Sequence, residues 1–162
     1  MIEGIKNTSI LDDTYNSSPT ALAAAFETMN ELYRASEDKK FKRKIVILGD
    51  MLELGKYTIE EHKKAGQLVV ESGAKLFFTI GPRMKFAAEE ARAQGFNPKN
   101  IFEFSTSDEA RMAVQEKIKE GDLILIKGSQ RTRAEKITEE IMAHPELKDE
   151  LLVRQEKEWE GR

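Results

Sequence analysis

Short, almost wholly apolar runs recur along the chain, and longer amphipathic stretches separate them. The runs are Ser9–Leu11, Ile45–Leu48, Leu76–Ile80, Ile101–Phe104 and Leu123–Ile126. Most of them do not alternate apolar with polar residues. That pattern predicts strands covered on both faces, as in a parallel sheet. Glu103 interrupts the fourth run and places it near a sheet edge.

The intervening stretches have helical periodicity. Leu22, Phe26, Met29 and Tyr33 recur at three- and four-residue steps and make one buried stripe. Ser18 is positioned to cap that helix, and Pro19 suits its first position, where no N–H is needed. A second helix is expected to open at Thr58, with Glu61 completing a capping box. A third spans Arg83 to Gln94 and stops at Gly95. Thr106 and Glu109 repeat the capping device ahead of Ala110, Val114 and Ile118. A fifth helix runs from about Arg131 to Met142, ended by His144-Pro145. The charged tail holds Leu147, Leu151, Leu152 and Trp159, so it reads as a helix or strap packed on the domain, followed by a frayed end. The opening MIEGIKNTS reads as a truncated beginning rather than a targeting segment. Five β-α repeats with right-handed crossovers predict an α/β fold: a Rossmann-like, doubly wound, mostly parallel sheet of five or six strands.

Composition narrows the function classes. A chain of 162 residues suits one domain with a real core. The formal net charge of −3 argues against a nucleic-acid surface, which needs a basic excess. No cysteine is present, so disulfides and thiolate metal sites are excluded. That fits a cytoplasmic setting. No apolar run approaches a membrane span. With only His62 and His144, a histidine-based metal site is not expected, and His62 reads as a packed helix residue.

The unusual residues collect at the carboxyl ends of the predicted strands, where open α/β sheets bind ligands. The first run leads into a loop with Asp12, Asp13, Tyr15 and Asn16. The second leads into Gly49-Asp50-Met51-Leu52-Glu53-Leu54-Gly55, the third into Gly81-Pro82-Arg83, and the fifth into Lys127-Gly128-Ser129-Gln130-Arg131. Each cluster also admits a bland reading. Asp12 or Asp13 could cap a helix, Gly49 and Gly55 could serve turns, Asp50 and Glu53 could be solvated, and Lys127 could sit in a structural ion pair. No phosphate-cradling loop is present. The nearest approach, Gly49 to Gly55-Lys56-Tyr57, has the wrong spacing and ends in tyrosine.

Three collinear segments carry a resemblance. DDTYNSSP resembles the DD-x-YNANP signature of the Mur ligases that add D-alanyl-D-alanine to the muramoyl tripeptide. VILGDMLELGKYTIEEHKKAG resembles their LGDM-x-ELG segment, and GDLILIKGSQRTRAEKI their GD-x-x-L-x-KGSR-x-x-x-ME stretch. LLVRQEKEW is similar to their usual ending. The resemblance implies that residues 1–162 are a single C-terminal domain, without the UDP-sugar domain and the central P-loop ATPase domain of the full ligase. It implies that ATP and Mg²⁺ are held mainly by that central domain, and that the fragment alone is inactive. The partners implied are UDP-MurNAc-peptide and D-Ala-D-Ala in peptidoglycan synthesis, with a monomeric chain. Asp13 matches the position contacting the nucleotide ribose, and Tyr15 and Asn16 the adjacent loop positions, near the adenine or the domain junction. Asp50 and Glu53 match positions near the incoming dipeptide amine or the domain contact. Lys127, Gly128 and Ser129 match the motif facing the amino substrate, and Arg131 stands one position past the family arginine, which is Gln130 here. Ser18 and Ala134 are further departures.

Two rivals use the same residues differently. A signalling receiver domain also has an acidic pair after its first strand and a lysine after its fifth. A free-standing nucleotide- or peptide-binding module without catalysis is the other.

Overall fold

The computed structural model describes residues 1–36, 40–155 and 159. The chain forms β1 (Ile2–Gly4), β2 (Thr8–Asp13), β3 (Arg43–Gly49), β4 (Leu76–Ile80), β5 (Ile101–Phe104) and β6 (Asp122–Lys127). They make one sheet in the order β1-β2-β6-β3-β4-β5. Every pairing is parallel except that of β1 with β2. The expected Rossmann-like α/β sheet is therefore present, with six strands.

The unbroken apolar runs have a simple cause. Ile45 and Ile47 of β3, with Ile124 and Ile126 of β6, project to one face. Their neighbours Val46, Leu48, Leu123 and Leu125 project to the other. Side chains alternate along a strand, so a sheet buried on both sides needs apolar residues at every position. Helices α1 (Pro19–Ala35), α2 (Thr58–Glu71) and α3 (Lys85–Ala93) cover one face through Phe26, Met29, Val69 and Ala88. Helices α4 (Ser107–Lys117) and α5 (Glu135–Ile141) cover the other through Val114, Ile137 and Ile141. β5 pairs only with β4, and Glu103 there is exposed and paired with Arg92, as an edge position allows.

Several local expectations need correction. Asp12 and Asp13 are not loop residues: they are the last two residues of β2, opposite Ile126 and Lys127 of β6. The parallel ladder carries the strand past the apolar run. The opening residues belong to the fold, since Ile2 pairs with Ile10 and Gly4 bridges Met142. Three residues are too few to show a period, and tertiary pairing makes this strand. Thr58 does not cap α2. It is the first helical residue, its hydroxyl donates back to Gly55 O at 2.8 Å, and Glu61 pairs with Lys64 instead. A 3₁₀ turn over Gly55–Tyr57 leads into the helix and displaces the cap. α3 starts at Lys85, after a 3₁₀ turn over Pro82–Met84. α5 starts only at Glu135, because Arg133 adopts a left-handed backbone (φ 53°) and breaks the helix there.

Ser18 caps α1, accepting from Ala21 N at 3.2 Å, with Pro19 at the first position. Thr106 caps α4, and Glu109 reaches back to Ser105 N at 3.0 Å. The tail packs on the domain as a short helix α6 (Lys148–Leu151), with Leu152 in the core. The expected frayed end lies outside the described residues.

The strand order excludes the receiver reading. Receiver domains place the second strand outside the first, in the order 2-1-3-4-5. Here β6, the last strand, lies between β2 and β3.

Candidate functional site

Two groups of polar residues lie along the carboxyl ends of the parallel strands. The first surrounds the end of β2. Lys127, 1% exposed, ends β6 beside it, and its ammonium donates to Asp13 Oδ2 at 2.6 Å and to Asn16 O at 2.7 Å. A buried ammonium needs such partners, because unpaired burial of charge is very costly. Asp13 itself remains 42% exposed, so its carboxylate is paired on the buried side and open to the rim. Asn16 Oδ1 accepts from Ser17 N at 2.8 Å and shapes the turn before α1. Tyr15 projects outward, 73% exposed.

Asp12 points the opposite way from Asp13, as successive strand residues must. It accepts from the Thr138 hydroxyl and from Thr14 Oγ1 at 2.9 Å. Burial pushes its carboxyl above the ordinary carboxylate range, and the nearby Glu135 adds to that. The threonine hydrogen bonds oppose it. Asp12 is a structural acid; Asp13 is the one presented to the rim.

The second group lines a cleft of about 310 Å³ among the β3, β4, β5 and β6 ends. Asp50, just after β3, is 6% exposed. Its Oδ1 accepts from Arg83 N at 3.0 Å and Met84 N at 2.9 Å, and Oδ2 meets the Arg83 guanidinium at 3.3 Å. It therefore holds the turn that opens α3, satisfying N–H groups that the helix leaves unpaired. Gly81 permits this approach: φ is +101°, and a Cβ there would lie 2.6 Å from Asp50 Cγ. Ser129 N donates to Asp50 O at 3.2 Å, which fixes the KGSQ loop against the β3 end. Gly49 lets Thr132 of that loop approach β3, since a Cβ there would sit 2.2 Å from Thr132 Cγ2. Ser107 Oγ donates to Thr132 O at 2.5 Å and ties the same loop to α4.

Arg83, Arg131, Arg133 and Lys136 line the cleft against Asp50 and Asp108. The Lys136 ammonium, 2.9 Å from Asp108, holds that carboxyl below its usual range. The four cations outnumber the two lining acids, although Arg83, Lys136 and Arg133 each already meet a carboxylate, of Asp50, Asp108 and Glu135; the excess favours an anion. A carboxylate matches the planar fork of arginine.

The structure thus sorts the sequence-predicted residues. Asp13, Tyr15, Asn16 and Lys127 come together, and Lys127 faces Asp13 rather than the cleft. Asp50, Ser129 and Arg131 share the cleft, with Gly128 packed under Thr132. Glu53 joins neither group; it is exposed on a left-handed backbone (φ 62°). His62 is fully buried: Nδ1 donates to Thr58 O at 2.7 Å and Nε2 accepts from Met51 N at 3.1 Å. It is a packed residue that shapes the loop after β3. Sequence reasoning missed Arg133 and Lys136. Basic residues inside an expected helix carry no signal of lining a cleft.

Fold and rim together define a Rossmann-like α/β domain with an acid–lysine pair at one end of the edge and a cationic cleft at the other. The family model described as "Mur ligase, glutamate ligase domain" matches residues 1–130. This chain belongs to that family. A UDP-N-acetylmuramoyl-tripeptide–D-alanyl-D-alanine ligase of Bacillus subtilis is 32% identical over 137 residues, which are 85% of this chain and 28% of that protein. The like-named ligase of Treponema pallidum is 29% identical over 80% of this chain and 26% of its own. Among solved structures, the MurF ligase of Thermotoga maritima in complex with ADP superposes with a TM-score of 0.63 at 24% identity. It is matched over 83% of this chain and 28% of its own. MurF from Acinetobacter baumannii gives 0.65 at 24%, over 85% and 29%. The chain spans under a third of each of these relatives and corresponds to their C-terminal domain.

Proposed function

We propose that this chain is the substrate-closing domain of an ATP-dependent ligase that joins D-alanyl-D-alanine to UDP-MurNAc-tripeptide, in cytoplasmic peptidoglycan precursor synthesis. In that reaction a peptide carboxylate oxygen attacks the γ-phosphorus of ATP, ADP leaves, and an acyl phosphate forms. The dipeptide amine attacks its carbonyl carbon, an amide bond forms with loss of the amine proton, and inorganic phosphate leaves with the bonding electrons. The chain has no phosphate cradle of its own, so a neighbouring domain has to supply one. Its own contribution is to cover the nucleotide and to present the amine.

The observation that carries this reading is the Asp13–Lys127 pair at 2.6 Å on a half-exposed rim. A carboxylate accepts two hydroxyl hydrogen bonds well, which suits a ribose. Tyr15 and Asn16, in the same loop, supply an outward aromatic ring and an amide for the nucleotide side. The cleft lined by Arg83 and Arg131 suits the terminal carboxylate of the amino substrate, with Asp50 and Ser129 setting its floor. Glu53 stands apart from that cleft, so we assign it to the contact with the neighbouring domain. No group of three or more His, Asp or Glu converges among the described residues. We assign the Mg²⁺ that accompanies ATP to the neighbouring domain.

The test is ATP-dependent joining of D-alanyl-D-alanine to UDP-MurNAc-tripeptide by the full-length protein carrying this domain. Amide product with stoichiometric ADP is expected. Absence of product with both substrates saturating sinks the reading.

A further inference from the structure

Beyond the residues that the family model matches, a buried ionic strut joins the tail to the rim. Arg154 has a side chain only 4% exposed, and Glu135, at the start of α5, one only 2% exposed. Arg154 Nη1 meets Glu135 Oε2 at 3.2 Å and donates to Thr14 O at 2.8 Å. Its Nη2 donates to Tyr15 O. The other Glu135 oxygen, Oε1, holds Arg133 Nε at 2.5 Å. Arg133 in turn donates to Trp159 O at 3.0 Å, and both guanidinium groups lie under 6 Å from the Trp159 ring centre (5.4 and 5.7 Å).

We infer that Arg154 is a positioning residue for nucleotide binding, resting on the reading of the Asp13–Asn16 segment given above, and that Glu135 is the strut holding it. A buried guanidinium costs free energy unless its charge is paired and its donors are used. Glu135 supplies the charge, and two consecutive backbone carbonyls take the donors. Only a planar fork reaches both carbonyls at once. Thr14 and Tyr15 lie between Asp13 and Asn16, so gripping their carbonyls fixes the turn that presents Asp13. Lys127 also holds Asn16 O at 2.7 Å, and Asp12 accepts from Thr14 Oγ1 at 2.9 Å. The segment is thereby preorganised, which lowers the ordering cost of binding. Because Glu135 also grips Arg133, which lines the cleft, the tail links both ends of the rim.

The experiment compares Arg154→Met and Arg154→Lys. The lysine variant keeps the charge beside Glu135 but lacks the fork. On this chain, both variants are expected to lower the heteronuclear NOE of the Thr14, Tyr15 and Asn16 amides, while those of β6 stay unchanged. In the full-length ligase, both are expected to raise KM for ATP at least about fivefold with kcat within about twofold, the pattern of lost binding rather than lost chemistry. Unchanged loop NOEs overturn the clamp, as does a lysine variant whose KM equals that of the parent. Asp13→Ala runs beside them as a control. If it raises KM for ATP and the Arg154 variants do not, the positioning role falls. If none of the three moves KM for ATP, the nucleotide reading falls and takes the positioning role with it.

Discussion

At the residue scale, neighbouring carboxylates on one strand have opposite duties. Asp12 is turned inward, and burial pushes its carboxyl above the ordinary carboxylate value of 3.8. A carboxyl raised in the fold lends stability that is fully present below 3.8 and is lost as pH rises through its folded value. That contribution therefore declines as pH rises towards neutrality. Asp12→Asn is expected to melt at or above the parent at pH 7, with the gap closing as pH falls towards 4. A constant deficit across that range would show that the charge is needed. His62 behaves in the other sense. Burial, the first cause, holds it below its ordinary 6.5, so it stays neutral with Nε2 accepting from Met51 N. The unfolded chain takes up the proton more readily, so this contribution is present above pH 6.5 and declines below it. His62→Ala is expected to cost about 1–3 kcal/mol at pH 7 from the unpaired Met51 N–H alone. Melts of the variant between pH 7 and 5 should show less acid sensitivity than those of the parent.

At the element scale, strand ends and helix starts are coupled through single side chains. Asp50 leaves β3 and caps the turn before α3, and Gly81 at the end of β4 makes room for it. Gly81→Ala combines a positive φ with a Cβ clash on the Asp50 carboxylate. It is expected to cost about 1–3 kcal/mol. A shifted urea midpoint with an unchanged slope would report it; an unshifted midpoint would mean that Asp50 moves aside freely. The core strands and α1 were legible in the sequence, since their periodicity and the Ser18-Pro19 cap act locally. Two local differences share a physical cause: α2 opens at Thr58 as expected but without the expected cap, and α5 opens late. Thr58 looked like a cap, but the preceding 3₁₀ turn already supplied its first hydrogen bonds. Arg131 looked helical, but the left-handed Arg133 delays α5 to Glu135. Both outcomes are set by where the incoming loop must land.

At the scale of the whole molecule, the rim is built from five separate segments and one tail. The purified chain by itself is expected to release no phosphate from ATP above buffer background, because no loop cradles a triphosphate; measurable turnover would refute this. On the proposed nucleotide contact, Asp13→Ala in the full-length protein would remove a charge-assisted hydrogen bond worth about 1.5–3 kcal/mol, and so is expected to raise KM for ATP about ten- to hundredfold. An unchanged ATP dependence would take Asp13 out of the site. No helix of the described residues is long and apolar enough to cross a membrane.

The chain's own residues determined the β-α alternation, the double burial of the strands and the concentration of Asp13, Asp50 and Lys127 at one end of the sheet. Those follow from local periodicity and from the direction in which parallel strands run. Only the tertiary structure decided that β6 lies beside β2, that Lys127 therefore turns to Asp13 rather than to the cleft, and that Arg154 reaches back across the chain to Thr14 and Tyr15. Such pairings depend on strand order and on charges seeking partners away from water, and neither is written in the spacing of neighbouring residues.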